Sequence, residues 1–317
     1  MTGSTPRVVS LLASATETVH ALGCGSRLVG RSHECDHPPG VRDLPQVSEP
    51  RFEIDLSSRE IDRSVKDLLR EALGIYRVDA GLLRELAPDV ILTQTQCEVC
   101  AVSPGDLDRA LCEWMPESEP TVVHLEPNTL SDIREDMRKI ARALEVPDRG
   151  DVLVEDIETR MSHLSDRARA PAPTGNGAAE PSPTVAYIEW IDPLMAGGNW
   201  MPELVSLAGG EPLFVGPGEH SPTLGWESVM EADPDVVFVS PCGYGLERTR
   251  EDVELLEALP GWSDLRAVRE GRAFYADANA FLTRPGPRVV ESLRILCEIL
   301  HPEVFPPTLQ GVAWDRR

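Results

Sequence analysis

The chain has 317 residues, 41% hydrophobic and 26% charged, a size and balance that suit a soluble globular protein of two domains. Its formal net charge of −23 argues against nucleic-acid and anionic-membrane partners, since both need a basic face. No run approaches ~18 consecutive apolar residues, so membrane insertion is not expected.

From the N-terminus, "RVVSLL" (7–12) predicts a strand, and Ser14 and Glu17 stand in capping-box spacing at the head of the next helix. The same stretch reads poorly as an export signal. Glu17 and His20 interrupt its apolar middle and only Arg7 precedes it, which predicts a cytoplasmic protein. Seven cysteines without framework spacing fit free thiols in such a compartment. "RLVGRS" (27–32) predicts a second strand that ends at "HECDHPPG". "AGLLRELAPDVILTQ" then gives a helix, a Pro-Asp turn and a strand, and "TVVHLEP" (121–127) gives another strand.

Two helices follow. The first places Ile133, Met137, Ile140 and Leu144 at helical spacing. The second starts at Pro147 and spans about 23 residues, roughly 34 Å at 1.5 Å per residue. After "APAPTGNGAAEPSPT", a flexible segment by composition, the pattern restarts with the strand "TVAYIEW" and the helix "NWMPELVSLAGG". The expected domains are an N-terminal α/β lobe over 1–128, connecting helices over 129–170 and a linker over 171–183. A C-terminal α/β lobe over 184–317 completes the chain, and the long connecting helix lies at about 147–169.

The second lobe repeats the first. "LLRELAPDVILTQTQCEVC" and "ESVMEADPDVVFVSPCGYG" share a helix, a Pro-Asp turn, a strand and a cysteine-bearing loop. Aligned on Pro-Asp-Val, Cys242 falls one position before the equivalent of Cys97. The fold class is therefore α/β: two Rossmann-like lobes joined by one long α-helix. Ligands of open α/β sheets bind beyond the carboxyl ends of the strands, so "HECD", "QCEVC" and "PCGYG" are expected around one ligand cleft between the lobes.

This layout resembles the class III, helical-backbone substrate-binding proteins of vitamin B12 and ferric-siderophore ABC importers. "VVSLLASATETVHALGCGSRLVG", "LAPDVIL" and "DPDVVFVSP" carry the likeness, which covers nearly the whole chain. "HECDHP", "QCEVCAVS", "EWIDPLMAGGNWMPEL", "PCGYGLERT" and "NAFLTRPGPR" are similar to a signal-less subgroup of cobalamin-binding proteins. The resemblance implies cobalamin or a related metal tetrapyrrole or metal chelate as the small-molecule partner. It also implies one glutamate per lobe, seven positions before the Pro of each Pro-Asp turn, docking on arginines of the ABC permease. Glu227 occupies that position in the second lobe, whereas Gly81 occupies it in the first, with Asp79 nearby but out of register.

The chemistry-bearing residues allow several readings. Cys97 and Cys100, with Glu98 between them, can point two thiolates at one soft metal ion, and His33 and Cys35 complete a four-ligand set if their loops meet. Alternatively the thiols line the pocket or cycle with a disulfide. His33 can approach cobalt or iron axially, or serve only as a hydrogen-bonding group beside Pro38. The helix headed by Ser14 would welcome an anionic ligand group. Trp190, Trp200 and Tyr244 suit a flat ligand face, with Asp192 and Cys242 beside them, while Trp226 reads as a packing staple. Asn279 and Arg284 offer a polar rim or a surface salt bridge. Cys24, Cys112 and Cys297 are expected as small buried residues.

The reading that follows is a cytoplasmic binding protein for cobalamin or a related metal chelate. One alternative is a thiol-dependent enzyme or cofactor-processing protein, although no nucleophile–base–acid trio can be assigned. The other is a chaperone or sensor that binds a transition metal (zinc, copper or iron) directly.

Overall fold

The computed structural model describes residues 5–53, 55–70, 75–95, 102, 104–114, 119–170 and 181–317. Two compact units divide the chain: Met1–Pro127 with Ser131–Asp156, and Asn128–Leu130 with Ile157–Arg317. In chain order the first elements are β1 (Val8–Ser10), α1 (Ala13–Ala21), β2 (Leu28–Arg31), β3 (Ser48–Pro50), α2 (Ser58–Arg70) and β4 (Tyr76–Val78). α3 (Ala80–Leu86), β5 (Val90–Gln94), α4 (Pro104–Trp114), β6 (Thr121–Leu125) and α5 (Leu130–Ala143) follow. α6 (Pro147–Ala168) then carries the chain from the first unit into the second.

The first unit is built on a parallel four-stranded sheet in the order β2-β1-β5-β6. Alternate residues of its strands face opposite ways. Val8, Val90 and Leu92 join one hydrophobic cluster with Ile140 and Leu144, while Val9 and Ile91 join another with Leu83 and Leu107. Both faces are therefore buried, which is why these strands read as continuous apolar runs. β3 and β4 form a separate antiparallel pair.

The second unit contains β7 (Thr184–Trp190), β8 (Met195–Ala196), α7 (Met201–Leu207), β9 (Glu211–Pro212), α8 (Trp226–Ala232) and β10 (Val236–Val239). It closes with α9 (Leu246–Glu257), α10 (Arg266–Arg269), β11 (Ala273–Ala276), α11 (Val289–Leu300) and β12 (Trp314–Arg316). β7, β10 and β11 are parallel, and β12 lies antiparallel on β11. The two ends of β7 pair with β8 and β9. Trp226 packs as the sequence suggests: its ring stacks 6.1 Å from that of Trp262, and its Nε1 donates to the Pro260 carbonyl at 2.8 Å.

The repeated Pro-Asp turn does the same job in both units. α3 ends at Ala87 and α8 at Asp233, both in the left-handed region with φ of 40° and 38°, and a proline follows each. The aspartate after that proline then grips the first strand of its own unit. Asp89 Oδ2 accepts the Arg7 N–H at 2.8 Å, and Asp235 Oδ2 accepts both the Thr184 N–H and hydroxyl, each at 2.8 Å.

Two local expectations need correction. α1 opens at Ala13 behind Leu12, and no side chain among the described residues caps it. Ser14 lies inside the first turn, where its hydroxyl is past the capping position, and its carbonyl accepts the Thr18 hydroxyl at 2.8 Å. Cys112 is exposed on α4, unlike the buried Cys24 and Cys297. No helix among the described residues is long and apolar enough to cross a membrane.

Candidate ligand-binding site

In the second unit the carboxyl ends of β7, β10 and β11 bring five of the expected residues together. Trp190 ends β7, and its indole N–H donates to the Asp192 carbonyl at 3.1 Å. Its ring centroid lies 5.4 Å from that of Tyr244, tilted by 58°. Tyr244 sits in a tight turn after β10, where Gly243 takes a φ of 78° that side chains rarely adopt. Backbone bonds fix the arrangement: Cys242 N–H donates to the Glu189 carbonyl and Asn279 N–H to the Tyr244 carbonyl, both at 3.0 Å.

Around this core the polar groups have distinct tasks. The Arg248 guanidinium lies 4.9 Å from the Tyr244 ring centroid, a cation–π contact, and its Nε lies 3.6 Å from Asp252. Burial, with Asp252 beside it, raises the Tyr244 phenol above its usual range against the opposing Arg248. Arg284 is only 4% exposed and directs its fork inward, donating to the carbonyl and, at 3.2 Å, the Oδ1 of Asn279. Arg284 thus orients Asn279 instead of forming a solvent-facing rim. Trp200 precedes α7 and is buried, 8% exposed, among the interior residues.

Glu189, Ser221 and Arg248 escaped the sequence reading. Glu189 precedes Trp190 on a strand otherwise apolar from Val185 to Ile188, and that acidic interruption was the available signal. The Ser221 hydroxyl donates to Glu189 Oε1 at 2.8 Å, and the Gly198 N–H donates to Ser221 Oγ at 3.0 Å. Burial raises the Glu189 carboxyl to about 7, opposed by its bonds from Ser221 and Gly198. Gly197 matters sterically, because a Cβ there would lie 1.8 Å from the Tyr187 ring.

The first unit places His33 and Cys35 on the loop after β2. Tyr76 lies 5.1 Å from the His33 ring, and Ser48 Oγ lies 3.2 Å from His33 Nδ1. Burial, helped by Arg31, lowers the imidazole to about 4, so near neutrality the ring is uncharged and keeps a lone pair for a metal. Cys35 is fully buried, with Thr16 Oγ1 at 3.0 Å and Ser32 Oγ at 3.3 Å from its sulfur. Burial raises its thiol above the usual range, which works against a thiolate ligand. Cys97, Glu98 and Cys100 lie outside the described residues. Among the described residues no group of three or more His, Cys, Asp or Glu side chains could hold a metal ion.

Parallel α/β units with aromatic and polar loops at their strand ends define a ligand-binding protein. The chain belongs to the periplasmic binding protein family, whose model matches residues 8–280. It is 23% identical over 299 residues to a vitamin B12-binding protein of Vibrio cholerae serotype O1, covering 93% of this chain and 88% of the relative. It is 21% identical over 306 residues to an ABC transporter substrate-binding lipoprotein of Bacillus subtilis, covering 94% and 81%. Its fold matches a periplasmic heme-binding protein from Pseudomonas aeruginosa with a TM-score of 0.72, at 21% identity and with coverage of 98% and 97%.

These findings overturn the cytoplasmic placement, since relatives are periplasmic proteins or lipoproteins. The stretch tested as an export signal is β1 and α1 of the folded first unit, so its charge pattern carries no information about export.

Proposed function

We propose that this chain is the solute-binding component of an ABC importer, works outside the cytoplasm, and carries a metal tetrapyrrole, cobalamin before heme. The observation that carries this reading is the Trp190–Tyr244 pair at the strand ends of the second unit, beside Cys242 and Asn279. Large rings supply contact area to a flat macrocycle at little entropic cost. In the first unit the neutral His33 imidazole, braced by Ser48 and Tyr76, keeps a lone pair suited to a metal. Relatives named for vitamin B12 and for heme support the same ligand class.

For permease docking, Glu227 stands exposed in the first turn of α8. Gly81 is exposed at the matching position of the first unit, while Asp79 caps α3 by accepting the Leu82 N–H at 2.9 Å. Docking through an acid of the second unit alone is the reading these positions support.

The test is a UV–visible titration with hydroxocobalamin and, separately, hemin, using wild type and Trp190→Ala. A saturable band shift is expected with one of them, weakened about tenfold in the variant, the equivalent of about 1.4 kcal/mol. Absence of any shift with either compound would remove the tetrapyrrole reading.

A further inference from the structure

The carboxyl group behind the Trp190 face is built into a closed hydrogen-bond circuit. β8 folds back on β7, pairing Ala196 with Ile188 and Met195 with Trp190. The next residues are held against β7 and against the segment that carries Ser221. Gly197 N–H donates to the Tyr187 carbonyl at 3.0 Å, Ala196 N–H to the Pro222 carbonyl at 3.0 Å, and Asn199 N–H to the Glu219 carbonyl at 2.6 Å. A Cβ on Gly198 would meet the Glu219 carbonyl oxygen at 2.3 Å and the Ser221 nitrogen at 2.7 Å, so the two backbones touch. Ser221 Oγ closes the circuit by receiving Gly198 N–H and donating to Glu189.

The adjacent strand, β10, leads into a buried serine. Phe238 pairs with Tyr187 and Val239 with Ile188; the register ends there, where the Cys242 N–H turns to the Glu189 carbonyl, and Ser240 follows on the same side of β10 as Phe238. Ser240 is fully buried, and its hydroxyl oxygen has no hydrogen-bond partner among the described residues. A protonated Glu189 has a donor to offer, whereas an ionised one has only acceptors.

Resting on the tetrapyrrole reading above, we propose that Glu189 is a protonation-controlled positioning residue for the Trp190 ligand face. When ionised, its carboxylate draws in the Ser221 hydroxyl through a charge-assisted bond and clamps the 196–199 and 219–222 segments to the end of β7. When protonated, it accepts weakly and those segments slacken. The titratable groups around it are Tyr187 on its own strand and Cys242 on the loop after β10. Asp192 lies on the turn after β7, and exposed Glu219 and His220 lie on the segment of Ser221. Burial places the carboxyl's titration at about 7, where a modest change of pH moves it.

Glu189→Gln keeps an acceptor for Ser221 and removes the charge, which separates protonation from packing. The experiment follows the Trp190 indole and Gly198 amide NMR resonances of ligand-free wild type and Glu189→Gln from about pH 5 to about pH 9. In wild type both resonances are expected to move together through a single one-proton transition near neutrality, and in Glu189→Gln to stay still. The same transition in the variant, or none in wild type, overturns the proposal. Hydroxocobalamin and hemin affinities in the same buffers should strengthen about fivefold as pH rises through the transition in wild type alone, the fold-change that corresponds to about 1 kcal/mol between a charge-assisted and a neutral hydrogen bond. A transition seen by NMR with no binding of either compound faults the ligand assignment and leaves the clamp standing.

Discussion

Protonating His33 should cost the protein stability in acid. Burial, reinforced by Arg31 and opposed by Glu49, lowers its imidazole from 6.5 to about 4. The unfolded chain therefore takes up a proton between those values that the folded chain refuses. Stability is complete above 6.5 and is lost as pH falls toward 4. With those two values, the loss is about 2 kcal/mol at about pH 5 and about 3 kcal/mol at about pH 4. The assay is urea denaturation followed by circular dichroism, at about pH 7.5 and about pH 5, for wild type and His33→Gln. Other carboxylates also change with pH, but their contribution is common to both proteins and cancels in the difference. The variant should lose about 2 kcal/mol less than wild type on acidification. Equal losses would show that His33 is not held neutral by its surroundings and would refute the reasoning.

Two further outcomes follow from buried polar geometry and backbone strain. Glu298 is 1% exposed and accepts from Trp314 Nε1 at 3.0 Å, the Thr308 hydroxyl at 2.7 Å, Leu309 N–H at 3.0 Å and Arg294 Nε at 3.2 Å. Glu298→Ala leaves these donors without their acceptor and should lower unfolding stability by about 3–5 kcal/mol, read from denaturant melts. At Ala87, with φ of 40°, glycine relieves the strain, so Ala87→Gly should raise thermal stability by about 0.5–1 kcal/mol in calorimetry.

The features legible in the sequence are those written in short windows. Apolar runs such as 185–188 and 236–239 became buried strands, and the paired Pro-Asp turns became corresponding joints because helix end, proline and aspartate are adjacent in the chain. The gathering of Trp190, Cys242, Tyr244 and Asn279 followed from the rule that loops at parallel strand ends converge. Side-chain direction was harder to read. Arg284 turned inward because Asn279, five residues earlier, offered both its carbonyl and its side chain. The Glu189–Ser221 bond spans 32 residues, beyond any periodicity. Ser14 missed its capping role by two residues, since α1 starts at Ala13 with Leu12 in the capping position.

The aspartate joints also bear on how the two halves could diverge. In the first unit the joint closes over 82 residues, and in the second over 51. The longer span holds the β3–β4 ribbon and α2, which the other joint does without. Loop-closure entropy grows only with the logarithm of length, so the extra chain adds about 0.4 kcal/mol to fastening the joint. A duplicated half-domain fastened this way can take up a whole ribbon and helix between two strands while its sheet stays in register. The insertion is nearly silent in entropy, and selection is left free to judge it by what the new segment touches.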